Sequence, residues 1–202
     1  QRGTLYLSMQ QLRKGLEDLN RSIRLDSKQV SAYMNRGKIF FRLKQFSEAL
    51  NDFETVLRID KDSALGYFWR GRTYQETDQL ALSLEDFTHT IELKPRFIQV
   101  YFQRAQLYSS QKRWTKAIAD YSQVILINPR HPDSYLKRAE LYTHLEEFPK
   151  AIADYSQVIK LSPRHVQAYF KRAVLHSRQK RFHKAIEDHS QVIRLNPGGS
   201  SR

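Results

Sequence analysis

Apolar and small residues fall on the i, i+4, i+7 spacing of one helix face, and after a short polar break a second such stripe follows. Tyr101, Ala105 and Tyr108 carry the first stripe, and Trp114, Ala117, Ile118, Tyr121, Val124 and Ile125 the second. Proline then appears at Pro95, Pro129, Pro163 and Pro197, where it ends the second helix and resets the chain. The pattern recurs without insertion or deletion. Arginine stands at Arg2, Arg36, Arg70, Arg104, Arg138 and Arg172, each 34 residues after the last. Aspartate keeps the same period at Asp18, Asp52, Asp86, Asp120, Asp154 and Asp188, and tyrosine at Tyr33, Tyr67, Tyr101, Tyr135 and Tyr169. Three series on one period predict a repeat array.

With Val30, Ala64, Ile98, Pro132 and Val166 as first positions, the complete repeats run 30–63, 64–97, 98–131, 132–165 and 166–199, after a partial first repeat over 1–29. Small residues at position 8 and at position 20 (Ala49, Ser83, Ala117, Ala151, Ala185) let paired helices approach closely. One helix pair cannot bury its apolar faces alone, so stacking must supply the core. The expectation is an all-α solenoid of antiparallel helix pairs, one array over residues 1–197, with 198–202 as a tail. The chain begins inside a helix and its last repeat is followed by no polar capping helix, which reads as a fragment of a longer array.

The series Tyr-x-x-Arg-Ala-x-x-Tyr, then an aromatic residue, then Ala-Ile-x-x-Tyr-x-x-Val-Ile-x-Leu-x-Pro resembles the tetratricopeptide repeat (TPR) family over essentially the whole chain. It departs from the family pattern at position 7, where Arg replaces the usual Leu, and at Ser27 and Lys61, which stand where Pro is expected. The resemblance implies a right-handed superhelix whose first helices line a concave groove through positions 2, 5, 6, 9, 12 and 13. Candidate partner-binding residues there are Asn35, Lys38, Phe41, Arg42, Phe68, Trp69, Arg72, Gln103, Lys137 and Lys171. Trp69 stands out because the same position elsewhere holds Gln1, Asn35, Gln103, Lys137 and Lys171. Phe68 shares its position with Met34, Phe102, Leu136 and Phe170, so a core role competes with a binding one. The family's carboxylate clamp, which holds chaperone C-termini, is absent: Asn35 meets one requirement, while Thr4, Leu65 and Trp69 break the others.

Strict periodicity signals architecture, so the Arg and Asp series are read as structural ion pairs within or between repeats. The expected members are Arg36, Arg70, Arg104, Arg138 and Arg172 with Asp52, Asp86, Asp120, Asp154 and Asp188.

Charge changes the picture in one respect. The chain has 34 Lys and Arg against 21 Asp and Glu, a net charge of +13, most of it outside the groove positions. A basic edge makes RNA or another polyanion an alternative partner. Self-association through the uncapped last repeat is a third reading. The absence of cysteine excludes disulfides and thiol chemistry, and no apolar run is long enough to cross a membrane as a helix, so a soluble cytoplasmic or nuclear protein is expected. His176 and His189 take aromatic positions in the last repeat without a third metal ligand at a plausible spacing. No catalytic constellation is discernible, so neither enzyme activity, cofactor nor metal is expected. The main expectation is a protein–protein interaction scaffold that grips a partner peptide or helix in its groove.

Overall fold

The computed structural model describes residues 2–196, with side chains from Gln11 onward. Thr4 and the 198–202 tail therefore lie outside the described side chains. The described residues form eleven helices and no strand. The chain divides into two compact units, Gln1–Val100 and Tyr101–Arg202. The first holds α1 (Arg2–Leu25), α2 (Val30–Arg42), α3 (Phe46–Ile59), α4 (Ala64–Glu76), α5 (Leu80–Leu93) and the opening of α6 (Ile98–Ser110). The second holds the rest of α6, then α7 (Trp114–Ile127), α8 (Pro132–His144), α9 (Phe148–Leu161), α10 (Val166–Arg178) and α11 (Phe182–Leu195).

In the first unit α2 packs on α3 and α4 on α5, while α3 also packs on α4, so each pair leans on the next. In the second, α8 packs on α9, α10 on α11, and α9 on α10. Both units are stacks of antiparallel helix pairs, the all-α solenoid architecture. The close approach rests on residues with little or no side chain. Ala49, Ser83, Ala117 and Ala151 are fully buried. A Cβ on Gly37 would stand 2.7 Å from the Phe53 ring, itself without exposed surface. Above these small positions the larger side chains Phe53, Phe87, Tyr121 and Tyr155 fill the core of each pair.

Every turn between paired helices has the same geometry. Lys44, Asp78, Lys112, Glu146 and Lys180 adopt φ of 57–59°, the left-handed region that glycine usually occupies. The two amides after each helix reach back to close it. Lys44 N–H donates to Phe41 C=O and Gln45 N–H to Phe40 C=O, and the other four turns repeat this. These are Schellman bonds, which satisfy carbonyls the helix end would otherwise leave unpaired.

The first repeat departs from this pattern. Its register places a turn near Gln10, yet α1 runs 24 residues without a break. Met9, Gln10, Gln11, Leu12 and Arg13 are good helix formers, so nothing local stops the helix.

Candidate functional site

The periodic arginines sit on one side of each first helix and the groove positions on the other, because positions 4, 7 and 11 are about half a turn from positions 2, 6, 9 and 13 at roughly 100° per residue. On the arginine side the guanidinium meets the aspartate of its own repeat in a two-pronged bond. Arg36 Nε and Nη2 donate to the two Asp52 oxygens at 2.9 and 2.7 Å. Arg70–Asp86, Arg104–Asp120, Arg138–Asp154 and Arg172–Asp188 repeat this geometry, with Nε and Nη2 contacts of 2.6–2.9 Å. All five aspartates are buried, whereas Asp18 is exposed. In three of these pairs the third guanidinium nitrogen reaches the preceding repeat. Arg36 Nη1 bonds Asn20 at 2.7 Å, Arg138 Nη1 bonds Ser122 at 2.8 Å and Arg172 Nη1 bonds Ser156 at 2.9 Å. Aromatic rings one turn either side sandwich the guanidinium: Tyr33 and Phe40 at Arg36, Tyr67 and Tyr74 at Arg70, Tyr135 and Tyr142 at Arg138. Hydrogen bonding to Asp52 raises the Arg36 pKa, and the partner aspartate does the same at Arg70, Arg138 and Arg172. At Asp86 burial outweighs the Arg70 contact and lifts the carboxyl above the ordinary aspartate value.

On the groove side of the first unit, α2 and α4 enclose a hollow of about 350 Å³ lined by Asn35, Lys38, Ile39, Arg42 and Trp69. Trp69 is half-buried. Its indole lies edge-to-face with Phe41 at 5.5 Å and nearly parallel to Phe53 at 6.3 Å. Lys38 Nζ sits 5.6 Å from the ring centroid, and the Arg72 guanidinium lies 5.9 Å from it and 5.3 Å from the Phe41 ring. Burial lowers the Arg72 pKa, and Glu76 one turn along α4 draws it partly back. Among the described residues no salt bridge joins Lys38, Arg42 or Arg72 to a carboxylate.

Of the two roles open to Phe68, the structure shows the core packing. Only 6% of it is exposed, and its ring packs at 4.9 Å from Phe97 and 6.1 Å from Phe87. One helical residue is a rotation of about 100°, which carries Phe68 into the core while Trp69 beside it faces the hollow.

In the second unit a hollow of about 290 Å³ is lined by Gln106, Trp114, Tyr121, Lys137, Glu140 and His144, with Ser109 and Leu141 beside them. Trp114 and His144 stack at 5.6 Å with ring planes 8° apart. Lys137 is held by Glu140 at 3.0 Å. Burial pushes the Tyr121 hydroxyl pKa up to about 12. Gln103 is half-buried and Lys171 exposed, and neither lines this hollow. Trp114 reads in the sequence as part of a core stripe. Its role as a pocket wall depends on His144, which belongs to the next repeat, so no local pattern points to it. A third hollow, of about 240 Å³, surrounds the Arg172–Asp188 pair and includes His176, Arg181 and Lys184.

Among the described residues no three metal-ligating side chains come together, and no helix is long and apolar enough to cross a membrane.

Comparison with known proteins agrees with this geometry. Tetratricopeptide repeat family models match residues 30–63, 105–168 and 145–200, together more than half of the chain. No curated protein sequence matches at significant similarity. Among solved structures, YrrB, described as a TPR protein with an unusual peptide-binding site, superposes with a TM-score of 0.77 at 14% identity, over 91% of this chain and 95% of that one. MamA superposes at 0.76 with 19% identity, over 83% of this chain and 92% of that one. The C-terminal part of a TPR repeat-containing protein from Cytophaga hutchinsonii reaches 0.83 at 17% identity, over 98% of this chain and 79% of that one. At such identities the likeness speaks for the fold, and with the family matches it leads to one conclusion: the chain belongs to the tetratricopeptide repeat family of protein-interaction scaffolds.

Proposed function

We propose that this chain binds a segment of a partner protein along the groove side of its first helices, with the hollow beside Trp69 as the anchor point. The observation that carries this reading is Trp69 itself: a half-buried indole that walls an open hollow of about 350 Å³ together with Asn35, Lys38 and Arg42. Aromatic anchors flanked by Arg are the composition of interface hot spots. Phe41 and Arg72 steady the indole, and in the second unit Gln103, Lys137 and Lys171 stand at the corresponding repeat position. YrrB, whose fold is similar, is described as carrying a peptide-binding site, which lends the reading support by analogy. The array is taken to comprise repeats 30–63, 64–97, 98–131, 132–165 and 166–199 after the partial first one, and its role is non-catalytic.

The test is an affinity capture with the full chain, its Trp69→Ala variant and its Arg42→Glu variant, each checked by circular dichroism for retained helix. Arg42 is exposed, so its substitution should leave the fold intact. A partner held in this hollow should bind at least about tenfold more weakly to both variants, as hot-spot truncations do. A partner captured equally by all three would place the interaction elsewhere.

A further inference from the structure

We infer that the hollow beside Trp69 is selective for acid: it takes a linear peptide segment that presents an Asp or Glu carboxylate next to an apolar side chain. This rests on the groove reading above and adds the chemistry of the partner. Two cations, Lys38 and Arg42, line the hollow, and a third, Arg72, lies against the indole that walls it. Lys38 and Arg72 lie over the Trp69 ring at 5.6 and 5.9 Å, and Arg42 lines the hollow beside them. No carboxylate lines the hollow, and no salt bridge neutralises any of the three among the described residues.

Cations beside apolar surface are costly where burial removes more hydration than nearby charge returns. At Arg72 burial lowers the pKa by more than Glu76, one turn along α4, restores. A carboxylate from a partner would supply the missing charge and form charge-assisted bonds with guanidinium and ammonium donors. The second unit shows the opposite arrangement. There the hollow contains its own acid, and Glu140 holds Lys137 at 3.0 Å.

Within the first hollow, Ile39 and the indole provide apolar wall, and Asn35 provides an amide to fix a peptide's orientation. A nucleic acid fits less well. Binding single strands draws on stacking of bases against open aromatic faces. The hollow is lined by one aromatic residue, Trp69, with Lys38 and Arg72 over its ring, so it offers no row of open rings for successive bases to stack on.

The experiment selects random linear peptides, displayed on phage, against the full chain. Selected peptides should be enriched in Asp or Glu beside an apolar residue. A resynthesised peptide with its acid changed to the matching amide should bind on the order of tenfold or more weakly by fluorescence anisotropy, as expected for a lost charged hydrogen bond. Lys38→Gln and Arg42→Gln should weaken the acidic peptide and leave its amide twin nearly unchanged, the coupling a double-mutant cycle isolates. Peptides that depend on Trp69 yet bind equally as acid and amide would overturn the acid selectivity and leave the groove reading standing. Peptides indifferent to Trp69→Ala, Lys38→Gln and Arg42→Gln alike would overturn both. A single-stranded RNA oligonucleotide that displaces the peptide and depends on the same cations would overturn the choice of a peptide.

Discussion

At Arg36 and Arg138 the guanidinium of repeat position 7 is used on three sides: two nitrogens on an aspartate of its own repeat, a third on the repeat before, and a ring on either side. Arg138 does this with Asp154, Ser122, Tyr135 and Tyr142. Lysine cannot reproduce a planar fork of this kind. Arg138→Ala leaves a nearly buried Asp154 charged and unpaired, and should lower stability by about 3–5 kcal/mol in chemical denaturation. A loss below about 0.5 kcal/mol, the range of exposed sites, would show that the pair contributes little.

His176 sits where Tyr74, Tyr108 and Tyr142 stand in other repeats, and it is buried, with 6% exposed. Burial lowers its pKa, Arg172, Lys184 and Arg181 lower it further, and Asp188 opposes them. A depressed histidine favours the neutral form in the folded state. Its contribution is therefore full above the unfolded value of roughly 6.5 and is lost as pH falls below it. The thermal midpoint should drop more between about pH 7.5 and about pH 5.5 in the wild type than in His176→Phe. Phenylalanine suits the site because Phe40 fills it in an earlier repeat. Equal slopes would remove His176 from the pH dependence.

At the scale of elements, the turns are the least local feature of the fold. Five non-glycine residues hold a left-handed backbone that L-residues enter at a cost of about 1–2 kcal/mol. Schellman bonds and the packing of the following helix hold them there. Lys112→Gly relieves that strain and loses some unfolded-state restriction, for an expected net gain of about 0.5–1 kcal/mol. A melt with Lys112→Gly less stable than the wild type would show that the lysine side chain, not the backbone, governs the turn. Helix existence was legible in the sequence because the 3.6-residue stripes are long and regular. The uninterrupted α1 was not, because repeat register alone placed a turn near Gln10 where the local residues favour helix.

For the whole molecule, the excess of basic residues and the hollow in the first unit make separable demands. A net charge of +13 attracts any polyanion without specificity. Binding of heparin or RNA through that charge should weaken by orders of magnitude between about 50 and about 200 mM salt, because each phosphate contact releases a counterion. A groove-bound peptide, held by one or two ion pairs and apolar contact, should weaken by less than about tenfold over the same range. A peptide complex as salt-sensitive as the RNA complex would mean that diffuse charge, not the hollow, holds it.

By itself the sequence determined the helix pairs, their 34-residue period and the TPR family, because each depends on residue types at fixed spacing along one chain. The tertiary structure decided which of two adjacent aromatics, Phe68 or Trp69, enters the core, and which cations, such as Lys137, meet a carboxylate while Lys38 and Arg42 do not. It also placed Trp114 against His144 from the following repeat. Those outcomes turn on rotations of about 100° per residue and on neighbours from other helices. A periodic pattern fixes the face of a helix, but only packing fixes what stands opposite it.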